Sequence, residues 1–179
     1  MNEKIPNRLE KILETKRLVL HKITTDHAGF LYQLMNDPAW LQFIGDRNID
    51  SIEAAANYIT LKLRPSYEEF GFGFYLTSLK ENNEPVGICG LVKRPTLEHI
   101  DVGFAFMPQY RKNGYGFESA SAIIEYANEK LGIDYIVAIT DLDNVGSIKL
   151  LEKLGLKFEK IMHLDGEGKQ CRLFVPKKM

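Results

Sequence analysis

The segment Arg111-Lys112-Asn113-Gly114-Tyr115-Gly116 sets two cations ahead of two glycines, where a β-type pattern gives way to helical periodicity. Gly114 and Gly116 remove two Cβ atoms from a stretch whose backbone would have to approach a ligand. The helix that follows adds free N–H groups and the positive end of its dipole. Together these make a cradle for an anion such as a pyrophosphate. Arg111 and Lys112 stand beside it, where charge-assisted hydrogen bonds to phosphate oxygens would join the backbone donors of Asn113, Gly114, Tyr115 and Gly116. A solvated surface turn has the same composition, so the spacing alone leaves both readings open.

A dinucleotide-binding turn competes for these residues. Gly114-Tyr115-Gly116-Phe117-Glu118-Ser119 nearly matches its fingerprint, and Asp141 follows at a distance suited to a ribose contact. Against it, the preceding strand ends near Phe106, so that Met107 to Asn113, with a proline, intervene where a tight turn is required. Too little chain remains for the usual parallel sheet, and no Gly-Lys-Ser/Thr phosphate loop occurs.

The elements that must position this turn can be read from periodicity. Arg17 to Ile23 reads as a strand, followed by a helix capped by Thr25 or Asp26 that carries Phe30, Leu31, Leu34 and Met35 and stops at Asp37-Pro38. Trp40 to Ile49 has no clear period. Asp50 or Ser51, with Glu53, caps a helix through Leu63. Phe72 to Leu79, Pro85 to Val92 and His99 to Phe106 form an antiparallel meander. A helix from Gly114 to Lys130 and a strand from Tyr135 to Thr140 make a parallel crossover. A short helix, Val145 to Leu154, ends at Gly155, and Lys157 to Leu164 with Gln170 to Val175 closes as a hairpin around Asp165-Gly166-Glu167-Gly168.

With 179 residues, 45% of them apolar, the chain reads as a single domain, residues 1–14 being set apart as an N-terminal arm. Twenty-three basic against twenty-four acidic residues leave a net charge of -1, which provides no global field for nucleic acid or an anionic membrane. No signal-peptide pattern and no run of about eighteen apolar residues is present, so a cytoplasmic location is expected. Cys89 and Cys171 read as isolated thiols without metal-ligand spacing, so no metal is expected, and Cys89, in an apolar strand pattern, is expected to be buried.

Two separated motifs carry a family resemblance over Thr15 to Val175. Arg111-x-x-Gly114-x-Gly116, after Asp101-Val102-Gly103-Phe104 and Met107-Pro108, resembles the pyrophosphate motif and preceding strand of the GNAT superfamily of N-acetyltransferases. Asn144-Val145-Gly146-Ser147 followed by Leu150 to Gly155 is similar to the second cofactor segment of its Rim-type, ribosomal-protein N-terminal acetyltransferase branch. The resemblance implies an α+β, α/β/α sandwich fold with a mixed, mainly antiparallel sheet and a splayed parallel strand pair. It further implies acetyl-CoA as co-substrate, an amine acceptor (a small molecule or a protein N-terminus), and either a monomer or a homodimer.

In that family the pantetheine arm lies between the splayed strands like a missing strand, which implicates the backbone of Phe104, Ala105 and Phe106. A main-chain N–H there would hold the oxyanion of acyl transfer. Asn144 would fix the cofactor through its amide or cap its helix. Asp101 stands where this branch often has Glu, as base or as partner to a cation; Glu98 and His99 are alternatives. Many members place a tyrosine acid where this chain has Leu151, and Ser147 is then the substitute near the thiol. Glu118 is expected to favour the helix dipole.

The acceptor is expected opposite the cofactor, between Trp40 to Asp50 and the hairpin near His163 to Lys169. There Trp40, Phe43 and Ile44 would line an apolar pocket or pack under the first helices, and Asp46 and Asp50 would attract an amine. The rival reading from another class is a non-catalytic acetyl-CoA-binding or interaction module with the same fold.

Overall fold

A computed structural model describes residues 10–164 and 168–177. Strands β1 (Lys11–Glu14) and β2 (Leu18–Lys22) precede a helical section: α1 (Ala28–Met35), α2 (Pro38–Phe43), α3 (Ile52–Tyr58) and α4 (Arg64–Glu69). The chain then returns through β3 (Phe74–Leu79), β4 (Pro85–Val92) and β5 (Ile100–Phe106), crosses over in α5 (Tyr115–Leu131), and ends with β6 (Ile136–Asp141), α6 (Val145–Lys153), β7 (Leu156–His163) and β8 (Gln170–Pro176). The strands form one eight-stranded sheet in the order β1-β2-β3-β4-β5-β6-β8-β7, antiparallel except where β5 meets β6.

Period-2 alternation divides the core between the two faces of this α+β sandwich. Consecutive residues show it: Tyr75 joins a core built with Ala120, Ile123, Ala127 and Leu151 of α5 and α6, whereas Leu76 joins one built with Leu31, Leu34, Ala55 and Ile59. Covered on both faces, β3 and β4 are buried over nearly their whole length, which is why they read as continuous apolar runs.

Several local expectations change. Asp37-Pro38 ends α1 but also begins α2: the Asp37 carboxylate accepts from the amides of Ala39 (3.0 Å) and Trp40 (3.3 Å), and proline occupies the first turn, where its missing N–H costs nothing. The aperiodic stretch after it is therefore partly helical. Ser51, not Asp50, caps α3, its Oγ accepting from Ala54 N at 3.1 Å. The helical path runs past Leu63 to Glu69 through a π-turn at Ile59–Leu63. Pro65 supplies no N–H to the preceding turn, and the wider turn accommodates that loss. Thr24, not Thr25 or Asp26, caps the 3₁₀ turn before α1.

Lys11–Glu14, grouped with the arm in the sequence, is an edge strand on β2. Glu98 and His99 precede β5 instead of lying within it. Cys89 and Cys171 are buried free thiols. Of the hairpin turn, Asp165, Gly166 and Glu167 lie outside the described residues. Among those described, no helix is long and apolar enough to cross a membrane.

Candidate active site

Gly114 is the N-cap of α5 and takes φ 82°, and Lys112 takes φ 63° although it is not glycine. A left-handed non-glycine costs on the order of 1–2 kcal/mol, so the turn holds a conformation its local sequence does not favour. Left-handed residues in a turn curl successive N–H groups to one side, the geometry of a backbone anion concavity. The helix begins with Glu118 N bonding Gly114 O at 3.0 Å, which leaves the amides before it outside the helical ladder. Gly116 has a packing task in addition to the one its spacing suggests. A Cβ there would stand 2.7 Å from Leu150 Cδ1, so this glycine lets α5 approach α6.

Arg111 departs from expectation. Its Nε donates to Phe106 O at 2.9 Å, and its guanidinium pairs with the nearly buried Asp37 carboxylate, tying the turn to the cap of α2. Lys112 stays exposed.

The cation seated on the turn is Arg17, from the loop before β2. It donates to Asn113 O at 3.0 Å, and its guanidinium lies 4.5 Å from the Tyr115 ring centroid. Glu118 holds it there: its carboxylate accepts from Arg17 Nε (2.7 Å), Arg17 N (2.8 Å) and Thr15 Oγ (2.6 Å). Burial by itself would push the Glu118 carboxyl up, but these donors together hold it below its ordinary value. The peptide is trans, so with the Asn113 carbonyl directed at Arg17, the Gly114 N–H points to the opposite side. The guanidinium also polarises that peptide, strengthening its N–H as a donor. Glu118 thus does more than favour a helix dipole. Sequence spacing gave no sign of Arg17, which is 96 positions from its carbonyl partner.

Beside the turn the sheet opens. β5 and β6 pair at Ile100–Ile136 and Asp101–Val137, and β5 has no β6 partner beyond that point. Met107 N bonds Val86 O at 2.9 Å, continuing the register in which Ala105 faces Ile88 and Phe106 faces Gly87. By antiparallel alternation, the N–H and C=O groups of Phe104 and Phe106 turn away from β4, toward the gap. Phe106 O is already taken by Arg111, which leaves the Phe104 peptide groups and the Phe106 N–H facing it.

Phe104, Ala105, Asn144 and Ser147 line one cavity of about 260 Å³ that runs from this gap toward α1, α2 and the π-turn. The Asn144 side-chain oxygen accepts from Ser147 N at 3.0 Å, so it caps α6 and leaves its NH₂ as donor. Leu151 is 1% exposed, packed in the core, and brings no acid to the site.

Asp101 lines the same cavity at the last paired position of β5. Its carboxylate, 1% exposed, receives Arg94 Nε at 3.1 and 3.2 Å. Burial pushes this carboxyl up, and the Arg94 charge pulls it only partly back. Of the two roles expected of Asp101, the structure shows the partner to a cation. His99 instead lies against the Tyr135 ring, 4.4 Å between centroids.

Away from the gap the cavity is walled by Trp40, Phe43 and Ile44, and by Tyr58, Lys62 and Ser66 at four-residue spacing through the π-turn. Sequence reading named none of the second set, because the π-turn that aims them is not visible in apolar periodicity. Asp46 and Asp50 are not among the lining residues; Asp46 accepts from Asn48 N at 2.7 Å within its own loop, and Arg47 between them lines the cavity. Lys169 pairs with Asp141 at 2.5 Å and donates to Gln42 O at 2.7 Å, but no described residue of the expected hairpin wall, His163 to Lys169, lines the cavity.

Comparison with known proteins finds relatives with this fold. The chain is 28% identical to the uncharacterised N-acetyltransferase YoaA of Bacillus subtilis (strain 168), over 84% of this chain and 85% of the relative. Its fold is similar to that of the acetyltransferase of Agrobacterium tumefaciens strain C58, with TM-score 0.79, 18% identity and coverage of 99% and 100% of the two chains. It is likewise similar to RimL, a ribosomal L7/L12 alpha-N-protein acetyltransferase solved with coenzyme A, at TM-score 0.78 and 19% identity over 93% of this chain and 97% of that one. The family model of the acetyltransferase (GNAT) domain matches residues 17–157, and the chain belongs to that family of acyl-CoA-dependent acetyltransferases.

Proposed function

We propose that the protein moves the acetyl group of acetyl-CoA to a primary amine by direct attack of the amine nitrogen on the thioester carbon. The observation that carries this reading is the continuity of one cavity from the opened β5–β6 gap, lined by Phe104, Ala105, Asn144 and Ser147, to a separate wall of α1, α2 and the π-turn. Donor and acceptor can enter from opposite sides and meet beside Asp101. The residues suit the donor: a left-handed glycine with amides outside the helical ladder for a pyrophosphate, and backbone groups of Phe104 and Phe106 left unpaired by the splay for an amide-bearing arm.

Acetyl-CoA supplies an acetyl group already activated as a thioester. This chain's residues do the rest. The amides of Asn113, Gly114, Tyr115 and Gly116 bind the phosphates, with Lys112 adding charge from outside. The Phe104 and Phe106 N–H groups are the donors for the arm and the developing oxyanion. Asp101, made more basic by burial, takes the amine proton as the new C–N bond forms. The C–S bond breaks, the Ser147 hydroxyl relays a proton from solvent water to the sulfur, and Asp101 returns the amine proton to solvent, so that both side chains end as they began.

Incubation with isotope-labelled acetyl-CoA and cell extract, followed by mass spectrometry, tests this reading, and a labelled amide product is expected. The buried Leu151 in place of an acid gives a non-catalytic binding module its one support. Tight coenzyme A binding without thiol release on any amine would decide for that module.

A further inference from the structure

We infer, on the reading of the chain as an amine acetyltransferase, that its acceptor is an amine carrying a carboxylate beside an apolar body, of the amino-acid class, and not a polyamine or an aminoglycoside. The charge balance of the acceptor cavity carries this. Two carboxylates line it, and both are committed: Asp101 to Arg94 at 3.1 Å, and Asp141 to Lys169 at 2.5 Å. Arg47 and Lys62 line it as well, and among the described residues neither has a carboxylate within ion-pair distance. The Trp40 indole, 7% exposed on the same wall, has a buried Nε1–H with no partner. An indole can only donate.

The uncommitted charged groups here are thus both cations, and the buried indole can only donate, which together call for an acceptor oxygen bearing negative charge; the Tyr58 and Ser66 hydroxyls can donate to it as well. A polycation would meet like charge at Arg47 and Lys62, whereas a carboxylate beside the amine meets both. The same field has a second effect. Nearby cations favour the neutral form of a bound amine, and only that form attacks a thioester. Phe43 and the half-exposed Ile44 leave apolar surface beside these charges for the body of the acceptor. A cavity of about 260 Å³, shared with the donor, suits an amino acid or the first residue of a peptide.

The test measures thiol release from acetyl-CoA by the full chain with L-phenylalanine, L-leucine, their carboxamides, spermidine, kanamycin, and an acidic tetrapeptide beside its amidated neutral counterpart. The carboxylates should be used at least about tenfold better than the matched amides, the loss expected for one charged hydrogen bond. The double variant Arg47→Ala/Lys62→Ala should erase that preference by raising KM for the acids alone. Preference for the acidic peptide over the free amino acids supports the inference and identifies a peptide as the source of the carboxylate. Equal use of acids and amides, or better use of spermidine or kanamycin, overturns the inference while the transferase reading stands. Transfer to none of these amines overturns it too, and calorimetry with coenzyme A then shows whether the transferase reading falls with it.

Discussion

Replacing Arg17 by alanine should weaken coenzyme A binding more than the position of Arg17, on the far side of the turn from the ligand, would suggest. Three interactions go with the guanidinium: the 3.0 Å bond to Asn113 O, the 2.7 Å pair with Glu118, and the 4.5 Å contact over Tyr115. The ion pair is partly exposed, 43% on the arginine side and 18% on the glutamate side, so it contributes at most about 1 kcal/mol. The bond to the carbonyl is charge-assisted and contributes about 1.5 kcal/mol, with the ring contact a fraction of that. Since these overlap, a stability loss of about 1–2 kcal/mol is expected, lowering Tm by roughly 3–6 °C in a chain of this size. The ligand loses something different. Without the carbonyl anchor the Asn113–Gly114 peptide can rotate, and one amide aimed at a phosphate is misdirected, which corresponds to about tenfold in Kd. Calorimetry with coenzyme A and thermal melting separate the two effects, and Arg17→Lys sharpens them. Lysine can restore the Glu118 pair, and with it most of the Tm, but not both bonds at once, so affinity should remain low. If Arg17→Ala melts lower yet binds coenzyme A within about twofold of the parent, the clamp only straps β2 to α5 and does not orient the turn.

Gly114→Ala forces a Cβ into φ 82° within 3.3 Å of Arg17, and affinity for coenzyme A by calorimetry should fall with a Tm loss equivalent to about 1–2 kcal/mol. Asp101→Asn should lower kcat by about 100-fold or more with little change in coenzyme A affinity. It should also abolish the acid limb of the kcat profile, which in the parent lies above the ordinary carboxylate value because burial raises this group. An acid limb that survives in the variant would remove Asp101 from proton transfer. His21 in β2 is buried with both ring nitrogens unpartnered, and burial, then His27 and Lys11, depress its affinity for protons below the ordinary 6.5. The unfolded chain therefore binds the extra proton first, and stability should fall as pH drops below about 6.5. In His21→Phe, melting between pH 7 and pH 5 should be flatter, and an unchanged slope would refute this.

The order of strands and helices was legible because each signal is local. A continuous apolar run rich in β-formers made β4 readable to the residue, and Gly155 and Gly114 marked helix ends through the conformations they permit. Where a local signal had two readings, the sequence could not choose. Asp37-Pro38 is both a stop for α1 and a start for α2, and nothing in residues 59–63 reveals the π-turn that points Lys62 into the cavity.

What the sequence determined by itself is the place of the turn before α5, since glycine spacing and helix onset are properties of neighbouring residues; the family of chemistry came from the resemblance of two separated motifs, not from that spacing. Tertiary structure decided which charges serve that turn. Arg111, adjacent in sequence, is drawn to Asp37 and to the end of β5, while Arg17, distant in sequence, takes the Asn113 carbonyl. The same holds for the proposed acceptor wall, where Arg47 lines the cavity and Asp46 and Asp50 do not. An ion pair depends on a few ångströms of separation in space, and that separation exists only after the sheet has brought β2, α5 and the π-turn together.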